Sequence, residues 1–415
     1  MLSIRSLALA AVAAIVAGVG SPVAQASPPT DGLLYVGSAS TITALSPETG
    51  AVQFTKSPAI ASRDWSRLYS TQSTNTATVL TTSDARTGKA LATRKLAPNL
   101  GLRAVSDDGS AAVLSENATT GANPYEPTPR PTTTLTVVRT GQKPRTYTVM
   151  GNVEPEAFSL SNYSLFVIEY SPPTAPDRYR VARIDVVGHA KVLKTRAVRS
   201  NEDELQEPMR GTARAQTMAP DGRRLYTLYT RDATATEPAE AFVHVLDLQR
   251  ERATCVDLPP EFAASPVGAV AVSPSGTRLY VVAPAAAALA ELDTATLRIT
   301  RTARLPEPST DTTVRATVAG STTLYVATAS EVTSVNLTDL AASGAWYVPG
   351  TVTGIQPASS SRTLFVSLTD RVLAVDPRTG TTQREFASIN AGRIDHVAPA
   401  LRPIVREGDS VQCAC

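Results

Sequence analysis

Hydrophobic and polar positions alternate along this chain in short runs of four to seven residues, and one small apolar run built around an aromatic or Val keeps returning. It reads Leu-Leu-Tyr-Val-Gly at 33–37, Arg-Leu-Tyr-Ser at 67–70, Ala-Ala-Val-Leu at 111–114 and Ser-Leu-Phe-Val at 164–167. It continues as Arg-Leu-Tyr-Thr at 224–227, Arg-Leu-Tyr-Val at 278–281, Thr-Leu-Tyr-Val at 323–326 and Thr-Leu-Phe-Val at 363–366. Around each copy the same four segments can be read. In the clearest, 267–273 is a first strand, Pro-Ser-Gly-Thr at 274–277 a turn, and 278–282 a second strand. The stretches 289–293 and 299–305 are the third and fourth. Runs rich in Val, Thr, Tyr and Leu, bounded by Gly, Pro and Asp, are strand signals. No stretch beyond the first 26 residues keeps a 3.6-residue apolar period, so helix should be scarce.

Central residues Tyr35, Tyr69, Val113, Phe166, Tyr226, Tyr280, Tyr325 and Phe365 lie 34 to 60 residues apart. That spacing falls in the range of propeller repeats of ~40–50 residues. Four antiparallel strands repeated eight times describe an all-β, eight-bladed β-propeller of four-stranded antiparallel blades. Seven blades is the alternative, if the short first or irregular third repeat is degenerate. A sandwich does not explain eight similar units, and an export barrel would want longer alternating strands. The first repeat, 33–55, holds only three strands, while 395–401 is left without partners. A C-terminal strand completing the first blade would close the ring and remove two open sheet edges.

The first 26 residues read as a secretory signal peptide: Arg5, an apolar run over 7–19, and the small-x-small site Ala24-Gln25-Ala26. The apolar run is shorter than the ~20 residues a membrane span needs. The expected organisation is therefore a signal peptide at 1–26, a propeller domain at 27–403 and a tail at 404–415. The mature chain should be exported, either secreted or associated with the cell envelope. Net charge is +2 over 415 residues with both signs scattered, unlike the clustered Lys and Arg of nucleic-acid binders. Cys255, Cys413 and Cys415 are too few for a disulfide framework. Cys255 falls on an outer rim, and a tail leaving the opposite blade reaches at most ~35 Å in ten residues. A local disulfide, free thiols or an intermolecular link thus all remain open.

The pattern Ser-Pro-x-Gly-x-Arg-Leu-Tyr-Val, with a third strand ending in Asp-x-x-Thr (best at 271–296 and 217–248), resembles the YVTN-type repeat of bacterial exported propellers. Other copies, at 35–50 and 373–380, resemble the PQQ-type propeller repeat. That repeat implies a Trp docking adjacent blades. Phe54 and Phe386 stand at the position, with Trp65 and Trp346 expected elsewhere. These resemblances imply a fold and carry no catalytic residues over.

Asp84, Asp185, Asp247, Asp293, Asn336 and Asp376 end successive third strands. A ring of metal-binding carboxylates is one reading. Short polar side chains bonding their own turn backbone is the plainer one. Three histidines, His189, His244 and His396, have no local metal-ligand spacing. His244, with Phe242 and Leu246 on its strand face, reads as a core residue. No nucleophile elbow, phosphate loop or cofactor ligand is recognisable. The departures from regularity are long loops at 117–131, 171–178 and 231–240, and the acidic connection 200–211. Binding residues tend to sit on loops carried by a rigid scaffold, and Tyr and Arg are typical interface anchors. The candidate contacts are Tyr125, Arg130, Arg178, Tyr179, Glu202, Asp203, Glu204 and Arg231. The leading expectation is a non-catalytic, exported binding or scaffold protein. It would recognise a protein, glycan or cell-envelope partner through the loops of blades 3–5. An enzyme of lactonase or lyase type with a site in the central channel is the alternative. A channel lined by His, Glu and Arg favours the enzyme, and one plugged by apolar side chains favours the binder. A quinone- or metal-dependent oxidoreductase is a third reading without recognisable ligands.

Overall fold

The computed structural model describes residues 31–117, 128–188, 190–200, 209, 213–231, 233, 235–236, 238–311, 313–358, 362–387 and 392–399. Strands form eight sheets, each built on four antiparallel strands and arranged as a blade around a ring, an eight-bladed β-propeller. Helix is confined, among the described residues, to two short 3-10 turns at Pro260–Ala264 and Pro284–Ala286.

Blade 1 decides closure. Its outer three strands are Asp31–Gly37, Ile42–Leu45 and Val52–Lys56, and the innermost is Arg393–Pro399 from the other end of the chain. Leu34 pairs with Val397 and Tyr35 with His396. The chain end therefore saturates an edge that would otherwise stand open in the ring.

The recurring phrase works on both faces of its strand. Side chains alternate along a strand, so Leu packs against the preceding blade and the aromatic against the following one. Leu34 joins the cluster between blades 8 and 1, whereas Tyr35 joins that between blades 1 and 2. Leu279 and Tyr280 divide in the same way between the gaps 5/6 and 6/7. Leu165 and Phe166 divide between 3/4 and 4/5, and Leu364 and Phe365 between 7/8 and 8/1. Eight such clusters fill eight gaps. Each fully buried Leu or Phe contributes roughly 1.5–3 kcal/mol.

Polar donors finish these interfaces. The Tyr35 hydroxyl donates to the Ala85 carbonyl of blade 2 (2.6 Å). Burial pushes that phenol up to about 12, so it keeps its proton and remains a donor. Arg139 reaches the Asn162 carbonyl (2.6 Å), Arg301 the Leu337 carbonyl (2.8 Å) and Arg384 the Glu48 carbonyl (2.7 Å). Each bond crosses to the next blade.

Two expectations need correcting. Trp346 does not lie elsewhere. It sits on the outer strand Ala342–Tyr347 of blade 7 and packs on Gly380 of blade 8, as Phe386 does on Gly50 and Phe54 on Gly88. Leu340 takes the left-handed turn position that Gly50 and Gly380 hold, and this absence of a glycine hid the equivalence. Repeat 4 also fails to make a full fourth strand. Its outer strand is only Arg196–Ala197, while Val192–Leu193 pairs onto blade 3 and Arg199–Ser200 onto blade 5. Leu193 plugs the gap 3/4 and Val198 the gap 4/5, so burying both stretches the segment 192–200 as a belt across three blades.

Gly380 has φ +72 and a Cβ there would lie 2.5 Å from Trp346, whereas Gly141, at φ +74, has nothing within 4 Å. The left-handed backbone alone costs an alanine about 1–2 kcal/mol. Gly380→Ala should therefore destabilise the protein by at least about 2 kcal/mol more than Gly141→Ala, read from urea unfolding. Equal losses would mean that the ring-on-glycine contact contributes nothing.

Candidate functional site in the central channel

The third-strand carboxylates are turn residues, except Asp185, which pairs with Arg183 and Arg196 instead. Asp84 accepts from the Arg86 and Thr87 amides (3.1 and 2.8 Å), Asp293 from Ala295 and Thr296 (3.0 and 2.9 Å), and Asp376 from Arg378 (2.8 Å). Hydrogen bonds from the Thr87 hydroxyl and amide hold the Asp84 carboxyl below its ordinary value. No group of three or more His, Cys, Asp or Glu suited to a metal occurs among the described residues.

Polar and apolar side chains both line the channel. On the side of blades 1–5 it widens into a cavity of about 730 Å3. Three guanidiniums (Arg63, Arg103, Arg393), three carboxylates (Asp107, Glu156, Asp395), His396 and Trp65 line it. They come from innermost strands and from the turns that follow them. One edge of each innermost strand faces the channel with no further strand, so polar side chains reach solvent there.

Arg63 organises the turn end of this cavity. Its Nε pairs with Asp107 of blade 3 at 2.5 Å, and its Nη1 donates to the Pro220 carbonyl of blade 5 at 3.1 Å. Blades 2, 3 and 5 thus touch across the channel. Gly222 permits the contact: at φ +72, a Cβ would stand 2.3 Å from Asp107 Oδ1.

The closing strand supplies the opposite wall. Arg393 pairs with Asp395. Burial raises the Asp395 carboxyl above its ordinary value, and Arg393 opposes that shift. Burial lowers the His396 imidazole to about 4, so it is neutral at physiological pH. Trp65, held at φ +52, stacks on His396 with centroids 4.5 Å apart at 11°. Tyr35 lies 4.6 Å from the same indole and 6.3 Å from His396. Rings on opposite faces of an indole would be about 9 Å apart at these stacking distances. Neither ring therefore covers the second indole face. Between blades 4 and 5, Gln216 donates to Glu156 (2.6 Å) and to Thr227 (3.0 Å). Gln216 also borders a second cavity of about 470 Å3 on the side of blades 5–8.

The loop candidates divide. Tyr125, Glu202, Asp203 and Glu204 lie outside the described residues, as do His189, Cys413 and Cys415. Arg130 braces backbone: Nε donates to Asn152 (2.8 Å), Nη2 to the Val153 carbonyl (2.8 Å) and the amide to Pro173 (3.0 Å). That bond joins the loops of blades 3 and 4. Tyr179 is buried, pairs through its backbone with Met209 of the long connection, and packs 5.4 Å from Tyr229. Arg231 pairs with Glu240 at 2.8 Å. Arg178 is exposed, 3.7 Å from Asp177. Sequence reasoning missed the cavity residues because they sit in five blades far apart in the chain. The stranded segment at the C-terminus was the one available signal.

No family model matches the chain, so neither repeat resemblance is supported at that level, and no curated protein is similar to it in sequence. Among solved structures it is similar to the dihydro-heme d1 dehydrogenase NirN in complex with DHE, at TM-score 0.53 and 12% identity. That match covers 90% of this chain and 76% of that chain. It is also similar to Sqt1 of Saccharomyces cerevisiae, at TM-score 0.50 and 9% identity, over 88% and 90%. The periplasmic gluconolactonase PpgL of Pseudomonas aeruginosa matches at TM-score 0.44 and 16% identity, over 81% and 99%. The shared property is the β-propeller fold. An enzyme and a protein not described as one stand side by side among the neighbours at TM-score 0.50 or above, so the fold does not choose a function. No helix among the described residues is long and apolar enough to cross a membrane.

His244 is buried between blades 4 and 5, its Nε2 meets no hydrogen-bond partner, and burial lowers its imidazole to about 4. In the unfolded chain a histidine titrates near ~6.5. The unfolded state therefore takes up a proton first as pH falls. Stability should be full above about pH 6.5 and decline toward pH 4, by on the order of 3 kcal/mol from this group at most. Urea midpoints at pH 7.5 and 4.5 should differ less for His244→Gln than for the parent. An unchanged difference would mean that His244 is not buried as a neutral ring.

Proposed function

We propose that this is an exported β-propeller binding protein that takes a saccharide, as a free sugar or a glycan end, into the channel cavity. One observation carries the reading: a partly exposed indole stands beside arginine–carboxylate pairs in a cavity of about 730 Å3. Small-molecule sites generally span ~300–1,000 Å3. The part of the Trp65 indole that borders the cavity offers a platform for the C–H face of a pyranose. Arg63 with Asp107 and Arg393 with Asp395 offer paired donors and acceptors to vicinal hydroxyls. The prearranged turns of blades 2, 3 and 5 limit the ordering lost on binding. The braced loops of blades 3 and 4 support a role as a platform for a larger protein or cell-envelope partner at the other face. The apolar run and cleavage site at the N-terminus support export.

A catalytic reading has two observations behind it, the first being that His396, Glu156 and three arginines line the channel, the lining expected of an enzyme rather than of a binder. The second is that Asp395, raised by burial, and the neutral imidazole of His396 line the same cavity, two groups suited to general acid–base work on a sugar lactone.

Calorimetric titration with neutral and uronic-acid disaccharides tests the proposal. At least one class should bind, and Trp65→Ala should weaken it by about tenfold, the value of one aromatic stacking contact. Binding unchanged in both Trp65→Ala and Arg63→Ala, with normal unfolding midpoints, would place the site elsewhere. Turnover of a sugar lactone that disappears in Asp395→Asn would select the catalytic reading.

A further inference from the structure

Four of the nine large hydrophobic side chains that stand exposed among the described residues fall in blades 3 and 4: Met150 (49%), Tyr163 (64%), Val187 (43%) and Val192 (58%). Backbone contacts place them along one stretch of rim. The Val186 amide donates to the Tyr163 carbonyl (2.9 Å), which sets Val187 beside Tyr163. Val192 pairs with Thr148 in the parallel edge of blade 3, two residues from Met150. In that edge Val149 and Leu193 point into the core, so Val192 and Met150 share the outward face.

Cations run through the same stretch. Lys143, Arg145, Lys191 and Lys194 are all exposed. Arg145 donates to the Gly188 carbonyl (2.6 Å), and the Thr148 amide to the Lys191 carbonyl (2.8 Å), tying the turn of blade 3 to the belt segment. No carboxylate of the described residues pairs with Lys143, Lys191 or Lys194. The nearby acid Asp185 is engaged by Arg183 and Arg196.

We propose that this rim docks on an anionic phospholipid surface. The patch interleaves lysines with single apolar side chains, whereas the core of a protein interface is depleted in charge and in Lys especially. Cations at headgroup level with Val, Met and Tyr dipping beneath them match a charged bilayer surface. The outermost strand of blade 3 and the two residues paired onto it present these side chains at the surface, so a membrane can meet them without reshaping the fold. The inference is independent of the channel ligand.

Co-sedimentation with phosphatidylcholine vesicles, with and without phosphatidylglycerol, tests it. The protein should bind only the phosphatidylglycerol vesicles and release as salt rises. Lys191→Ala with Lys194→Ala should lower binding by about 30-fold, at the worth of each cation near such a surface. Tyr163→Ser with Val192→Ser should lower it further than a charge effect alone explains, at unchanged salt dependence. All four positions are exposed, so unfolding midpoints should stay put. Absence of vesicle binding, or binding indifferent to both double variants, overturns the proposal. Capture by a soluble polyanion such as heparin with none by vesicles also overturns it, and assigns the patch to a polyanionic polymer.

Discussion

The gap between neighbouring blades is the constraint on which everything else depends. Sheets packed around an axis diverge outward, and the wedge between them must be filled by side chains from both. The Leu-aromatic pair in the second strand answers that need, with Leu facing back and the ring facing forward. Further out, where the wedge widens, larger devices take over: Trp346, Phe386 and Phe54 on glycines of the next blade, and arginines reaching its turn carbonyls. None of these contacts is unusual alone. Their force is circular, because each blade is held from both sides only if the last meets the first.

Closure also shapes the channel. The strand that completes blade 1 carries Arg393, Asp395 and His396 into the cavity, so one segment supplies both the lock of the ring and a wall of the candidate site. Trp65 stacks on His396 and Tyr35 fills the first gap, and this links stacking at the site to packing of the interface. A ligand bound in the proposed site would therefore be coupled to the stability of the ring through the same residues.

The repeat and its closure were legible because strand periodicity and turn residues act locally. Leu279, Tyr280 and the Pro-Ser-Gly turn at 274–276 announce a blade within fifteen residues. Asp84 and Asp293 likewise revealed turn chemistry that their own amides satisfy. The belt of blade 4 was not legible, because only the positions of two gaps explain why Leu193 and Val198 part company across three sheets. The cavity was hidden for a similar reason. Arg63, Asp107 and Pro220 come from turns of three blades, and their meeting depends on how the ring narrows across its axis. Insertions such as 171–178 stood out to the eye, yet at Arg130 and Tyr179 the side chains are already engaged within the scaffold.

Thermal unfolding of chains ending at residue 399 and at residue 392 tests the central claim, that the ring is locked by the C-terminal strand. Loss of Arg393–Pro399 should lower the midpoint by more than about 10 °C, since each 1 kcal/mol lost moves it by ~2–4 °C or less in a domain of this size or larger. Equal midpoints for the two chains would show that blade 1 does not need its fourth strand and would contradict the closure on which this account rests.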